Sequence, residues 1–222
     1  MVAKAPGLLG EWLFEGNAND ASGNAMNGVV SGAVLAAGRF GQCYDFDGAD
    51  DNITVARDVL LEPANAITIS AWILPDAGYG ETLPKIVDKN TPGGAAHGYM
   101  FSIIAASGLL SFFIDLSVDG DLTVPVAAGN EISTTVWTHV AATYDGTTGV
   151  INIFQNGTLT KTQTATAAQT IAHATSKALV IGDNGLGTRA FAGLIDSVTL
   201  WSRALPIGET NQVRQGFLHG GL

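Results

Sequence analysis

The residues best equipped for chemistry in this sequence are oxygen donors. Asp196 stands in the run Phe191-Ala-Gly-Leu-Ile-Asp-Ser-Val-Thr-Leu-Trp201, whose apolar–polar alternation predicts a strand. That alternation groups Asp196 with Leu194, Val198 and Leu200. A lone carboxylate among aliphatic side chains is costly unless something neutralises it. The obvious partner is the polar loop Asn17-Ala-Asn-Asp20-Ala-Ser-Gly-Asn24-Ala-Met-Asn-Gly28. Calcium takes about six to eight oxygens from carboxylates, amides and carbonyls, and Asp20, Asn24, the backbone up to Gly28 and Asp196 together offer such a set. The same residues have a plainer use: Asp20 and Asn24 form Asx turns, and Asp196 caps the N–H groups of the loop.

A second acidic group, Asp45, Asp47, Asp50 and Asp51, surrounds Gly48. Its glycine is misplaced for a calcium-binding EF-hand and no Glu closes the loop, so a solvated hairpin tip is the expectation. His97, His139, His173 and His219 show no metal-ligand spacing, and His139 reads as structural within its strand. No Gly-x-Ser-x-Gly elbow occurs, and Cys43 has no nucleophile pattern around it. The remaining polar groups that can hold a ligand lie in loops: Tyr79, His97, Tyr99, Asp183, Asn184 and Arg189. Trp12, Trp72, Trp137 and Trp201 sit inside predicted strands, where core packing is their ordinary role.

Positioning these groups falls to short strands. Glu11–Glu15, Gly28–Leu35, Cys43–Asp47 and Asn52–Val55 come first, the last two reading as a hairpin. Ala66–Leu74 follows, stopped by Pro75. Then come Lys85–Lys89, the hairpin of Tyr99–Ile104 and Leu109–Leu116, and Val136–Tyr144. Val150–Gln155 and Leu159–Thr164 flank Asn156-Gly157, the strongest short hairpin signal, and Ala178–Ile181 precedes the strand of Asp196. Only Pro206–Gln215 reads as a helix, with Pro at its start and Gly216 after it. About a dozen strands, no βαβ alternation and no fixed repeat predict an all-β, two-sheet antiparallel sandwich of the jelly-roll kind with one short C-terminal helix. At 222 residues a single domain over 1–222 is the expectation, burying about 70 % of its surface.

Composition narrows the partners. The net charge is −10 and only 14 % of residues are charged, so nucleic acid is excluded as a partner for want of a basic footprint. A poorly charged surface suits assembly with other chains or with itself. The single cysteine allows no internal disulfide. Met1–Gly7 has no apolar run and nothing reads as a membrane span, so neither a signal peptide nor membrane insertion is expected.

In their order and spacing, several pieces resemble the laminin-G-like, concanavalin A-like lectin/glucanase superfamily. They are Trp12-Leu-Phe-Glu15, Asp20-Ala-Ser-Gly-Asn24 with Gly28, Gly38-Arg-Phe-Gly41, Asp45-Phe-Asp-Gly48 with Asp51, Ile67-Thr-Ile-Ser-Ala-Trp72, Trp137-Thr-His-Val-Ala141 through Gly146, Phe154-Gln-Asn-Gly157, Ile181-Gly182, and Gly193-Leu-Ile-Asp196 with Arg203-Ala-Leu205. The resemblance implies a concanavalin A-like fold and a structural calcium where the first loop meets the last strand, at Asp20, Asn24, Gly28 and Asp196. Retaining glycosidases of that superfamily carry a Glu-x-Asp-x-Glu strand, whose carboxyls must stand about 5.5 Å apart. This sequence has no such strand, and Glu11 and Glu15 are too far apart along theirs. The expectation is therefore a non-catalytic module that binds carbohydrate or a cell surface. A second expectation is a display protein on a virion or extracellular surface, such as a phage decoration or receptor-binding component, with other protein chains as partners.

Overall fold

The computed structural model describes residues 5–80, 82–90, 97–173 and 176–216. Along these the strands are β1 (Leu8–Trp12), β2 (Gly28–Ser31), β3 (Val34–Ala37), β4 (Gln42–Asp47), β5 (Asn52–Val55), β6 (Ala66–Gly80), β7 (Lys85–Asn90) and β8 (Gly98–Ile104). They continue with β9 (Leu109–Leu116), β10 (Gly120–Pro125), β11 (Thr138–Asp145), β12 (Val150–Gln155), β13 (Thr158–Thr164), β14 (Leu179–Ile181) and β15 (Phe191–Trp201), and end in the helix α1 (Ile207–Arg214). One sheet runs β13-β12-β11-β6-β15-β4-β3, with β1 also on β15; the other runs β10-β9-β8-β7-β14-β5-β2. The strand pairs are antiparallel. The two sheets bury one core of inward residues, among them Trp12, Phe46, Ile69, Tyr99, Phe101, Phe112 and Tyr144. The sandwich with a short terminal helix is what the alternation predicts. No described helix is long and apolar enough to cross a membrane. His219, named among the histidines above, lies outside the described residues.

Several local expectations are corrected. The predicted strand Gly28–Leu35 is two strands in two sheets: β2 pairs β5 and β3 pairs β4. They part at Gly32, whose φ of +79° and contact with the Asp51 carboxylate leave no room for a side chain. The predicted hairpin of Cys43–Asp47 and Asn52–Val55 is likewise a crossover, because β4 joins β15 while β5 joins β14. The turn between them is held by the N–H of Asp47 donating to Asp51. β6 does not stop at Pro75; it continues to Gly80. Its partner β11 ends opposite Ile73, so beyond that point the missing N–H of Pro75 interrupts only an open edge. Strand β10 was not expected. Trp137 lies just outside β11 and is half-buried.

The face of Asp196 is also corrected. A β-bulge between Asp196 and Thr199 shifts the β15 register against β6, and Ser197 takes a positive φ of 49°. The inserted residue flips the alternation. Ile195, Val198 and Leu200 therefore all enter the core, while Asp196 lies on the opposite face, paired with Trp72 on β6. On that outer side, Leu8, Trp201, Leu205 and Val213 form a small second cluster beneath α1.

Candidate functional site

The outer face of the seven-stranded sheet carries a groove of about 290 Å³. Strand alternation builds it. On β8, Tyr99, Phe101 and Ile103 point into the core, which leaves Met100 outward. On β9, Phe112 and Ile114 point inward and Phe113 outward. On β7 a bulge between Lys85 and Val87 lets both Ile86 and Val87 enter the core, so Lys85, Asp88 and Asn90 all reach the groove. Met100, Phe113 and Leu83 give apolar surface; Asn90, Asn184 and the pair His97–Asp121 give polar groups. Such a mix is typical of ligand sites.

One wall is the loop between β14 and β15. The carboxylate of Asp183, itself fully buried, accepts the N–H groups of Gly185 at 2.8 Å, Gly187 at 2.9 Å and Arg189 at 3.3 Å. Asn184 donates to Thr188 and accepts from the Leu186 N–H. The N–H of Lys85 donates to the Arg189 carbonyl at 3.0 Å, which fastens the loop to β7. Asp183 therefore shapes the wall from behind, while Asn184 and Arg189 line it.

Two groove residues carry displaced pKa values. Burial pushes the Lys85 ammonium down to about 8; Asp88 opposes the fall and Arg189 adds to it. Burial raises the Asp88 carboxyl to about 6, against the N–H of Asn90 and the charge of Lys85. At the other end, His97 Nδ1 lies 2.6 Å from Asp121 and the His97 N–H donates to Asp115 at 2.8 Å. His97, Asp115 and Asp121 bring their ligand atoms within 4.8 Å of one another, as do Asp47, Asp50 and Asp51.

Of the ligand residues expected from sequence, the structure gathers His97, Asn184 and Arg189 at the groove, with Asp183 behind them. Tyr99 is corrected: it is a core residue with no exposure, and its hydroxyl donates to the Leu61 carbonyl. Tyr79 stands elsewhere, its hydroxyl donating to Ile132. Lys85, Asp88, Asn90, Met100 and Phe113 went unnoticed in the sequence. Their signal was present only as the outward half of each strand's alternation.

The four residues expected around calcium divide between two loops. Asp20 Oδ1 accepts the N–H groups of Glu11 and Ser22, and Oδ2 accepts the Ser22 hydroxyl and the Met26 N–H. Asn24 donates to the Leu9 carbonyl. The N–H of Gly28 donates to Ala18, and a Cβ on Gly28 would come to 2.5 Å from Ile53. Asp196 instead serves the Gly38–Gly41 turn through the N–H of Phe40.

No curated protein sequence matches the chain. Among solved structures it is similar to the binding domain of Paraclostridial Mosquitocidal Protein 1, with a TM-score of 0.76 at 16% identity over 95% of this chain and 52% of that one. Domain 4 of AbnA, a GH43 extracellular arabinanase from Geobacillus stearothermophilus, seen with arabinotriose, gives 0.72 at 18% identity over 93% and 98%. The botulinum neurotoxin serotype D ligand-binding domain, seen with N-acetylneuraminic acid, gives 0.70 at 17% identity over 95% and 51%. The chain thus spans about half the length of the toxin domains it matches. These likenesses show the fold, and a family model described as the concanavalin A-like lectin/glucanases superfamily matches residues 47–209; the chain belongs to that superfamily.

Proposed function

We propose that this domain is a non-catalytic carbohydrate-binding module whose ligand lies in the groove on the seven-stranded sheet. The observation that carries the reading is the groove itself, where the apolar faces of Met100 and Phe113 lie beside the amides of Asn90 and Asn184. Sugar rings need such a pairing, an apolar surface for their C–H faces and fixed polar groups for their hydroxyls. The neighbour from the arabinanase was seen with arabinotriose, which supports the reading. Strands β7 to β10 carry no glutamate, which supports binding without hydrolysis. The same groove would serve a decoration or receptor-binding protein on a virion or extracellular surface, where display in many copies multiplies a weak affinity.

The test is glycan-array binding of the domain and of Phe113→Ala, run in calcium and in EDTA. We expect at least one glycan to bind, with a loss of about tenfold or more in the variant. Silence toward every glycan, or binding indifferent to Phe113, would discard the reading.

A further inference from the structure

The groove holds two cations, Lys85 and Arg189, and neither forms a direct ion pair among the described residues. The chain has 10 Lys and Arg against 20 Asp and Glu, so convergence of Lys85 and Arg189 owes nothing to an abundance of bases. Lys85 is 3% exposed. Its ammonium can donate three hydrogen bonds, yet the one it makes goes to the thioether of Met100 at 2.8 Å, a weak acceptor. Lys85 forms no ion pair among the described residues. Asp88 is near enough to favour its charge, but one Asp88 oxygen already takes the Asn90 N–H. A buried ammonium without an oxygen partner is costly.

Arg189 is half-buried and its described hydrogen bonds are those of its backbone. The bond from the Lys85 N–H to the Arg189 carbonyl holds the two residues side by side, and both side chains line the groove. Like charges set together in a desolvated site repel one another. An anion between them relieves both.

Resting on the saccharide-binding reading above, we infer that the groove selects sugars bearing a carboxylate, of the uronic or sialic acid class, and that Lys85 and Arg189 hold that carboxylate. A guanidinium fork matches a carboxylate edge with two parallel bonds, and Lys85 supplies a point charge from the groove wall. Phe113 and Met100 receive the ring. Asp88 and Asp121 on the same walls disfavour a densely sulfated or phosphorylated polyanion by repulsion.

The test is titration calorimetry with trigalacturonic acid against its carboxyl-reduced counterpart, and with sialyllactose against lactose, repeated on Lys85→Met and Arg189→Gln. At least one acidic sugar is expected to bind about tenfold more tightly than its neutral counterpart. Lys85→Met should bring the two together by weakening the acidic sugar more than the neutral one, and Arg189→Gln should remove part of the preference. Equal or tighter binding of the neutral sugars, a preference that survives both substitutions, or tighter binding of a sulfated sugar overturns the inference. If neutral glycans bind the array and acidic ones do not, the binding module stands and the carboxylate falls; if no glycan binds, both fall. Lys85→Met keeps side-chain volume and removes a desolvated charge, so it should melt at or above the parent's temperature. If it melts lower, Arg189→Gln decides.

Discussion

The carboxylate of Asp196 accepts the backbone N–H of Phe40 at 3.0 Å, across 156 positions of sequence. Its other oxygen accepts the Ser197 hydroxyl at 2.9 Å. Burial raises the Asp196 pKa, and the bonds from Phe40, Ser197 and the Arg39 N–H oppose the rise. The turn it holds places Arg39 over the rings of Phe40 and Trp72, at 5.0 and 4.8 Å. Asp196 is thus a clasp between the bulge of β15 and the Gly38–Gly41 turn. Removing it leaves the half-buried Phe40 N–H and the buried Ser197 hydroxyl unmet, so Asp196→Ala should lose about 2 kcal/mol in urea unfolding. Parent-like stability would refute the clasp.

Asp20 organises the first loop in the same manner, with four donors on its two oxygens. A carboxylate has about four lone-pair sites, so the loop already satisfies it. Asp20→Ala should cost about 3 kcal/mol, and the parent's melting temperature should be the same in calcium and in EDTA. A calcium-induced rise that vanishes in Asp20→Ala or Asp196→Ala would instead place the cation expected from sequence.

His139 should make the fold acid-sensitive. It is 1% exposed, its ring packs on Trp72 with centroids 5.4 Å apart, and neither ring nitrogen has a hydrogen-bond partner among the described residues. Burial pushes its pKa down to about 3, and the charge of Arg214 on α1 adds to the fall. An unfolded His titrates near 6.5, so between these values the unfolded chain binds the extra proton. This stability is complete above about pH 7 and is lost as pH falls through 6.5 toward 3. The loss amounts to about 2 kcal/mol by pH 5. Asp88 and Asp196, whose raised pKa values act in the opposite sense, are common to parent and variant. His139→Phe should therefore gain about 2 kcal/mol on the parent between pH 7 and pH 5; a pH-independent difference would exclude His139 as the cause.

Binding of an acidic sugar should follow the groove's own titration. From pH 7 to 9, Lys85, at about 8, loses its proton and affinity falls. From pH 7 to 5, Asp88, at about 6, gains one, the wall becomes more positive and affinity rises. Arg189, His97, Asp115, Asp121, Asp183 and Lys177 are the other charged or ionisable groups around the groove. Asp88→Asn should remove the rise on the acid side and Lys85→Met the fall on the basic side. Calorimetric affinities across that range decide it, and a flat profile in the parent would count against both residues.

Gly193 should tolerate no side chain. It lies opposite Pro75 at a register shift with φ +115°, and a Cβ would stand 2.5 Å from the Leu74 carbonyl oxygen and 2.7 Å from the Asp76 nitrogen. Backbone cannot yield as a side chain does, so Gly193→Ala should cost about 3 kcal/mol or more, or fail to fold. A soluble variant with the parent's melting temperature would contradict the close approach.

Most of the strands were legible because alternation and turn residues are local signals. Asn156-Gly157 turns β12 onto β13 as its dipeptide requires, and Pro206 with Gly216 frames α1. The misreadings share one physical cause: which neighbour a strand finds is not encoded next to it. β2 and β3, or β4 and β5, follow one another as hairpin strands would, yet enter different sheets. Tyr99 looked like a loop residue because its inward register depends on β7 and β9. The groove was half legible: loop residues His97, Asn184 and Arg189 stood out, whereas Lys85, Asp88 and Phe113 each looked like an ordinary strand position.

By itself, then, the sequence determined an all-β sandwich with a terminal helix, a net charge of −10, and a strand carrying Asp196. Periodicity, composition and turn chemistry act over a few residues, so one dimension suffices for them. Only the tertiary structure decided which way Asp196 faces, since one inserted residue at Ser197 reverses every side chain after it. Only there do β7 to β10 and the Asp183 loop meet, because a groove lined by Lys85 and Arg189 together is a property of space between strands and of no segment of the chain.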